Sequence, residues 1–357
     1  MKTRIDKVLK VMEDHEVDAL FLMRKANIRY VSGFTGTDSY VVLAKHARIF
    51  ITDSRYTEQA EQECPEFEIY QHRNGSTLED TVAQICWKFR IKKLGFEQDF
   101  ITFEIYDKIN NALDEIEFIP TSGIVENVRA VKGSSEIKLI ERAAQIADDA
   151  FTDILGFIKP GITEMDIERE LEYLIKKKGA LSVSFPTIVA SGPRSSLPHA
   201  IPTDRKIQRG DFITLDFGAL YEGYCSDMTR TVVMGEPSAK QKEIYQIVRE
   251  AQEAGVKAVR AGVRGIDGDK FARDVIEKAG YGEYFGHGLG HGIGLEIHEE
   301  PNLNKRNEKM LCAGSVVTVE PGIYLPHWGG VRIEDSVVVT ADGCEILTHS
   351  SKDLIVL

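Results

Sequence analysis

The sequence predicts an α+β protein of two domains, in which a smaller α/β domain precedes a larger domain built from an internal αα-ββ repeat. The 357-residue length is more than twice the roughly 150 residues of a common domain. Helical and strand patterns alternate through the first third of the chain, which is typical of an α/β domain. The second part superimposes on itself when it is shifted by about 100 residues, and such self-similarity indicates a structural repeat.

The first third combines apolar residues at helical spacing with short apolar runs. Ile5, Val8, Leu9 and Met12 lie on one face of a predicted helix over 3–16. The same patterns predict strands at 17–22, 40–43, 47–52 and 67–71 and helices at 54–63, 76–90 and 102–113. No motif in this part of the chain indicates a chemistry.

The domain boundary is predicted where the periodic pattern is lost. Residues 124–135 show no regular spacing, and a long helix with an apolar stripe begins at Glu136. We therefore expect one domain over 1–125 and a second over 126–357.

The repeat first aligns two helix pairs. A shift of 101 residues places Gly161 on Gly262 and Gly179 on Gly280, so each half contains a helix, a glycine turn, a second helix and a glycine stop. Each half also contains a side-chain pair able to cap a first helical turn, Thr163 with Asp166 and Ser238 with Gln241.

Strands follow each helix pair, and four acids occupy matching positions in them. The run Gly210–Gly218 lies over Gly314–Gly322 at an offset of 104, which aligns the acids that end each strand. Two further acids match at an offset of 107, each at the start of another apolar strand. The four acids are Asp216, Asp227, Glu320 and Glu334. We expect the halves to be related by a pseudo-twofold axis, with their strands curved around a shared centre.

Acids beside continuous apolar runs are expected to be buried, and a buried ionised carboxylate is unfavourable unless it is paired or binds a cation. Pairing with arginine is one interpretation, for which Arg230 and Arg332 are the local candidates. Because four converging acids outnumber two arginines, a pair of divalent metal ions is the better account.

Histidines that could complete such a site lie in the glycine-rich segment 285–299. His287, His291 and His298 belong to it, and its alternating glycines allow backbone or substrate to approach an imidazole closely. His199 precedes His298 by 99 residues, close to the repeat offset, and so is expected to be its counterpart. One imidazole with four carboxylates forms a hard ligand set that favours Mn²⁺ or a similar ion over a structural zinc.

Composition and missing motifs exclude other classes. The net charge is −12, from 44 basic and 56 acidic residues, and no run of five basic residues occurs, so nucleic-acid and anionic-membrane partners are disfavoured. No signal-peptide core or membrane-spanning run is present, from which we expect a cytoplasmic protein. Dinucleotide-binding, phosphate-loop, helical zinc-protease and nucleophile-elbow motifs are also missing.

The motifs around the four acids and the histidines resemble the pita-bread metallopeptidases, the clan of methionine aminopeptidase, aminopeptidase P and prolidase. The resemblance rests on 215–219, 226–231, 290–299, 318–324 and 331–335 and spans most of 130–357. The segments 27–36 and 53–56 resemble the N-terminal domain of aminopeptidase P, prolidase and creatinase, which narrows the similarity to the proline-specific branch.

The resemblance implies an exopeptidase that hydrolyses the Xaa-Pro bond at the N-terminus of short peptides through a metal-bridging hydroxide. Glu320 is the implied proton shuttle, His199 and His298 would hold the scissile carbonyl and its oxyanion, and Arg332 with Tyr324 would orient the ligands. His287 is a further candidate to contact the substrate or to orient a ligand. The implied ligands of two divalent ions (Mn²⁺, with Co²⁺ or Zn²⁺ as alternatives) are Asp216, Asp227, His291, Glu320 and Glu334, of which Asp227 and Glu334 would bridge.

The resemblance also implies that the front domain closes one side of the active site and contributes to a homodimer. Two alternatives lie outside this activity: a catalytically inactive pita-bread binding module, and a creatinase-like C–N hydrolase that needs no metal. Within the activity, Xaa-Pro dipeptidase and Xaa-Pro aminopeptidase stay open. Some compact prolidases have an arginine where this chain has Asn302, which weakens the strict dipeptidase hypothesis.

Overall fold

The computed structural model describes residues 2–72 and 75–357 and divides the chain into two compact units, up to residue 129 and from residue 130 to 357. The division falls four residues after the expected boundary at 125. The reason is a short helix, Ile124–Arg129, in the segment for which we expected no regular structure; it packs against helices of the first unit. No helix in the described residues combines the length and the apolar character that a membrane span requires.

Over its described residues, 2–72 and 75–129, the first unit is a six-stranded mixed sheet with six helices. Its strands lie in the order β4-β3-β2-β1-β5-β6, with β1–β2–β3 antiparallel and the pairs β1–β5, β5–β6 and β3–β4 parallel. The elements are α1 (Lys2–Glu13), β1 (Ala19–Leu22), α2 (Lys25–Ser32), β2 (Ser39–Ala44), β3 (Ala47–Thr52), α3 (Thr57–Glu63), β4 (Glu68–Gln71), α4 (Leu78–Lys88), β5 (Lys93–Glu97), α5 (Phe103–Ala112), β6 (Glu117–Thr121) and α6 (Ile124–Arg129).

Every helix and strand predicted for this unit is present, with ends that differ by at most three residues. Four other described elements were not predicted, namely α2, β5, β6 and α6. Helix α2 has no side-chain cap at its start and ends at Gly33, whose φ of 83° is the left-handed conformation that glycine adopts readily.

The second unit contains four long helices and several small sheets. Its helices are α7 (Ser134–Ile154), α8 (Glu164–Lys177), α9 (Ala239–Ala258) and α10 (Gly265–Lys278), with short 3₁₀ helices at Gly192–Ser196 and Gly282–Tyr284. Its strands are β7 (Ser182–Val183), β8 (Ile188–Ser191), β9 (Phe212–Phe217), β10 (Ala219–Tyr221), β11 (Tyr224–Cys225), β12 (Met228–Val233), β13 (Gly290–Gly292), β14 (Glu299–Leu303), β15 (Val316–Val319), β16 (Gly322–Leu325), β17 (Gly329–Arg332), β18 (Asp335–Val339) and β19 (Cys344–Ile346).

The αα-ββ repeat is visible in this unit. Helices α7 and α8 share an apolar core with β8, β9 and β12, and α9 and α10 share a second core with β15 to β18. Both predicted caps form: Asp166 N–H donates to Thr163 Oγ1 at 3.1 Å, and Gln241 N–H donates to Ser238 Oγ at 3.2 Å. Because each half buries its helices on its own strands, the strand pairs β9–β12 and β15–β18 occupy equivalent places.

Candidate active site

The two equivalent strand pairs bring the predicted acids together. In the first half, β9 and β12 are antiparallel with Asp216 opposite Thr229, and Asp227 comes directly before β12. In the second half, Glu320 directly follows β15 and Glu334 directly precedes β18. One carboxylate oxygen from each of Asp216, Asp227 and Glu334 lies within 4.8 Å of the other two.

His291 extends this cluster to Glu320. Its Nε2 lies 3.5 Å from Asp227 Oδ2 and 3.4 Å from Glu320 Oε1, whereas its Nδ1 lies 3.1 Å from the carbonyl oxygen of Gly292. The carbonyl can only accept, so Nδ1 carries the proton and the Nε2 lone pair faces the carboxylates. Burial lowers the pKa of His291, which favours this neutral form, and a neutral imidazole is the form that binds a metal.

The glycines around His291 are required by close backbone packing. A Cβ on Gly290 would lie 2.0 Å from the carbonyl oxygen of Thr318, and a Cβ on Gly292 would lie 2.4 Å from that of Glu300. Strand β13 is held between β14 and β15, and side chains at these positions would separate the three strands. The alternating glycines thus let His291 approach the acids of the neighbouring strands.

The acids destabilise one another as anions. Burial, followed by repulsion from Glu334, raises the pKa of Asp227 well above its usual range. Burial and the charges of Glu320 and Asp216 do the same to the pKa of Glu334. Burial also raises the pKa of Glu320 to about 7. A bound cation would relieve both the desolvation and the repulsion.

In the part of the chain that the structure describes, arginine pairs with only one of the four acids. Arg332 Nη2 donates to Asp216 Oδ2 at 2.5 Å, whereas Arg230 pairs with Asp335 at 2.8 Å. Among the described residues, Asp216 Oδ1 and Glu334 Oε1 are buried and accept no hydrogen bond. Unpartnered carboxylate oxygens beside a neutral imidazole are a donor set that fits divalent metal ions.

The remaining predicted residues surround the same centre. A cavity of about 310 Å³ is lined by all five predicted metal ligands and also by His199, His287, His298, Asn302 and Arg332. The rings of His291 and His298 lie 4.3 Å apart, centre to centre. Tyr324 is buried behind this wall and forms hydrogen bonds with His287 and Arg332.

A hydrogen-bonded chain connects the cavity wall to Asp216. His287 Nδ1 lies 2.8 Å from the carbonyl oxygen of Gly288, so Nδ1 carries the proton and Nε2 accepts from the Tyr324 hydroxyl at 2.9 Å. Arg332 Nη1 donates to the same hydroxyl at 2.8 Å. Burial lowers the pKa of His287 to about 4 and raises that of Tyr324 to about 12, so the acceptor is neutral and the donor keeps its proton.

Sequence reasoning missed two groups of residues around the centre. Thr229 Oγ1 donates to Glu334 Oε2 at 2.6 Å, and Thr318 Oγ1 donates to Glu320 Oε1 at 3.1 Å, so one threonine from each half fixes a glutamate of the second half. In the sequence, Thr229 stands two residues after Asp227 and Thr318 two residues before Glu320. This spacing could have indicated that both threonines lie near the acids. Phe185, Ile188 and Ile297 form an apolar part of the cavity wall that no sequence pattern indicated.

Comparison with known proteins identifies relatives over the whole length of the chain. Residues 138–341 match the sequence model of Metallopeptidase family M24, and residues 4–131 match that of the Creatinase/Prolidase N-terminal domain. The structure of an Xaa-Pro dipeptidase from Bacillus anthracis is 50% identical, with a TM-score of 0.97 over 100% of this chain and 99% of that chain.

Two further relatives differ in their named activities. The X-Pro aminopeptidase from Thermotoga maritima MSB8 is 42% identical, with a TM-score of 0.91 over 98% of this chain and 100% of that one. An Xaa-Pro dipeptidase of Pyrococcus horikoshii is 37% identical over 359 residues, which cover 99% of each chain.

These matches confirm the predicted family and the α+β architecture, with its pita-bread second domain and smaller N-terminal domain. A metallopeptidase family implies a divalent-metal cofactor, in agreement with the donor set described above. The chain therefore belongs to metallopeptidase family M24 and begins with a domain of the creatinase/prolidase N-terminal type.

Proposed function

We propose that this protein is a dinuclear-metal exopeptidase that hydrolyses the Xaa-Pro bond at the N-terminus of short peptides. The observation that carries the proposal is the convergence of four carboxylates and one neutral imidazole on a single cavity, with buried carboxylate oxygens that accept no hydrogen bond. The named activities of relatives at 37–50% identity support the proline-specific assignment.

Five side chains would hold the two ions. Asp227 and Glu334 would bridge them, and Asp216, His291 and Glu320 would complete the coordination. Four hard oxygen donors and one imidazole favour Mn²⁺, with Co²⁺ or Zn²⁺ as alternatives. When bound, two divalent ions lower the pKa of a coordinated water and polarise the scissile carbonyl.

Glu320 is suited to move the proton that this hydrolysis requires. It lines the cavity beside the other proposed ligands, where its carboxylate could take a proton from the attacking water and release it to the prolyl nitrogen. Thr318 Oγ1 donates to Glu320 Oε1 and leaves the other oxygen available for this transfer. A prolyl amide nitrogen has no hydrogen of its own, so the leaving group depends on such an acid.

The other cavity residues would bind and orient the substrate. His199 and His298 would donate hydrogen bonds to the scissile carbonyl oxygen and to the oxyanion that develops from it. Arg332, held between Tyr324 and Asp216, keeps Asp216 in place. The apolar wall around Ile297 suits a proline ring, which offers hydrocarbon but no N–H.

The wall near Asn302 bears on the length of the peptide. Arg332 is the one Lys or Arg side chain that lines the described cavity, and it is engaged with Asp216. Asn302 Nδ2 lies 3.4 Å from Glu300 Oε1, and the Lys309 ammonium lies behind that carboxylate, 3.8 Å from Glu300 Oε2. Lys309 does not line the described cavity, so a free C-terminal carboxylate would meet no unpaired cation in the cavity wall, which favours peptides longer than two residues.

We expect kcat/KM to be higher for Ala-Pro-Ala than for Ala-Pro, and negligible for Ala-Ala-Ala. All three should be compared on the full-length protein with saturating Mn²⁺. Appreciable turnover of Ala-Ala-Ala would contradict the proline requirement, and turnover of Ala-Pro alone would make the protein a dipeptidase.

We also propose that the protein forms a homodimer. Light scattering on the same sample would test this by measuring the molecular mass in solution.

A further inference from the structure

A buried cluster of polar groups lies directly behind one proposed bridging ligand. Asp335, at the start of β18, is fully buried. Its Oδ1 accepts from Arg230 Nη2 at 2.8 Å and from Thr348 Oγ1 at 2.9 Å. Its Oδ2 accepts from Gln252 Nε2 at 2.8 Å and from Lys352 Nζ at 2.5 Å. This carboxylate is therefore fixed from four directions and needs no metal.

Arg230 connects that cluster to the bridging ligand Glu334. Its Nη1 donates to the carbonyl oxygen of Glu334 and, at 3.0 Å, to that of Thr229. The N–H of Glu334 donates to the same Thr229 carbonyl at 3.1 Å, and the Thr229 hydroxyl holds Glu334 Oε2. The backbone on both sides of the Glu334 side chain is thus fixed by hydrogen bonds.

The second bridging ligand is connected to the same place. Ser336 Oγ donates to the carbonyl oxygen of Asp227 at 2.8 Å, and Ser336 N–H donates to Thr348 Oγ1 at 3.3 Å. Thr348 therefore contacts both Asp335 and Ser336. Through these two residues it reaches the backbone of each proposed bridging ligand.

Thr348 and Lys352 belong to one anchored segment, residues 348–353, which we name the support segment. Asp148 on α7 accepts hydrogen bonds from the backbone N–H groups of His349 and Ser350 at 2.8 and 2.7 Å. Arg230 donates to the carbonyl oxygen of Ser350 at 2.8 Å, and the Tyr245 hydroxyl donates to that of Lys352 at 3.2 Å. Both ends of the segment are thereby held against α7, β12 and α9.

We propose that the support segment is a positioning device for the metal centre: through Asp335 and Ser336 it fixes the backbone of Glu334 and of Asp227, whose side chains would hold the metal ions. The inference rests on the proposed dinuclear centre. Residues that orient metal ligands commonly change metal affinity by about 10–100-fold when they are replaced. The support segment therefore sets the affinity for metal in addition to any contribution to folding.

Lys352 is the best place to test this, because its removal leaves Asp335 paired with Arg230. Its side chain is 23% exposed, so a methionine retains the stem at the surface and removes only the ammonium. Thr348→Val is an independent variant that removes one hydroxyl from a buried site at nearly constant shape. Lys352→Arg retains the cation, so its affinity for Mn²⁺ should stay close to that of the parent.

The measurement is the dissociation constant for Mn²⁺, obtained by calorimetric titration of the metal-free, full-length protein. We expect Lys352→Met and Thr348→Val to weaken binding by about tenfold or more. Lys242→Met is the matched control, since Lys242 pairs with Glu236 at an exposed site. Ile175→Val, in the core of α8, controls for destabilisation: it should lower the melting temperature of the metal-free protein and leave Mn²⁺ affinity unchanged.

The outcomes separate this inference from the proposed function. If the parent protein binds Mn²⁺ and both variants bind it within twofold of the parent, the support segment has no positioning role. The same conclusion follows if Ile175→Val weakens binding as much as they do. If Lys352→Met fails to fold, Thr348→Val decides the question. A parent protein that binds no divalent ion would contradict the proposed function itself, and this inference with it.

Discussion

Asp227→Asn and Glu334→Gln should each abolish turnover and reduce bound metal below two ions per chain. Both side chains are proposed to bridge the ions, so either change removes one anionic ligand from both ions at once. An amide of the same shape keeps the packing but offers one neutral oxygen donor in place of two charged ones. Metal content by elemental analysis and kcat/KM on Ala-Pro-Ala measure the two effects.

The controls for these variants are exposed acids of the same unit, Asp342→Asn and Glu345→Gln, which should retain metal and activity. Full activity of dialysed, metal-free protein would contradict the proposal and favour the creatinase-like, metal-independent hydrolysis. A parent protein that binds two ions but cleaves no Xaa-Pro peptide would favour the inactive binding module.

In the metal-free protein, the same Asp227→Asn change should increase the stability of the fold, although it abolishes turnover. Folding raises the pKa of Asp227, so the stability that its protonated form contributes is present at acid pH and is lost as the pH rises through the raised pKa. At pH 8 the unfolded metal-free parent has an ionised Asp227, so folding must either bury that charge or take up a proton, and asparagine has neither cost. We expect the metal-free variant to melt at a higher temperature than the metal-free parent at pH 8, with a smaller difference at pH 5. Equal melting temperatures at pH 8 would show that repulsion within the cluster is not significant.

Much of the fold could be predicted because the sequence pattern and the packing agree. The predicted strand 47–52 is β3, and the aligned glycines and caps of the repeat mark the four long helices of the second unit. Strands β5 and β6 were missed because their own residues favour other structures, with a glycine in Lys93–Glu97 and a proline in Glu117–Thr121. Pairing with β1 makes β5 a strand, and pairing with β5 does the same for β6.

The candidate site also has one part that could be predicted from the sequence and another that could not. The acids could be found because the repeat places each of them at the end or the start of an apolar strand, and β9–β12 and β15–β18 then bring these ends together. The sequence could not show which acid each arginine pairs with. Arg230 stands three residues from Asp227 and Arg332 two residues from Glu334 in the sequence, yet Arg230 pairs with the Asp335 carboxylate, whereas Arg332 pairs with the carboxylate of a proposed ligand, Asp216. That assignment depends on the side-chain directions across the strands, which only the folded chain fixes.

Three histidines at the centre should respond differently to replacement by alanine. His199→Ala and His298→Ala should each reduce kcat by about 10², the effect of deleting one hydrogen-bond donor to an oxyanion, while metal content stays near that of the parent. His291→Ala should lose metal as well as activity, because its Nε2 lies 3.4–3.5 Å from Glu320 and Asp227 and faces both carboxylates.

The distinction follows from how the three rings are held. The proton on His291 Nδ1 is directed to the Gly292 carbonyl, so its Nε2 can only accept and is suited to a cation. His199 and His298 line the cavity at exposed positions where a bound peptide can be reached. The measurements are elemental analysis, kcat and KM for the three variants, with His15→Ala at an exposed site of the first unit as the control. Equal metal loss in all three would show that His199 and His298 support the metal centre rather than the substrate, whereas unchanged kcat in His298→Ala would remove it from the proposed oxyanion site.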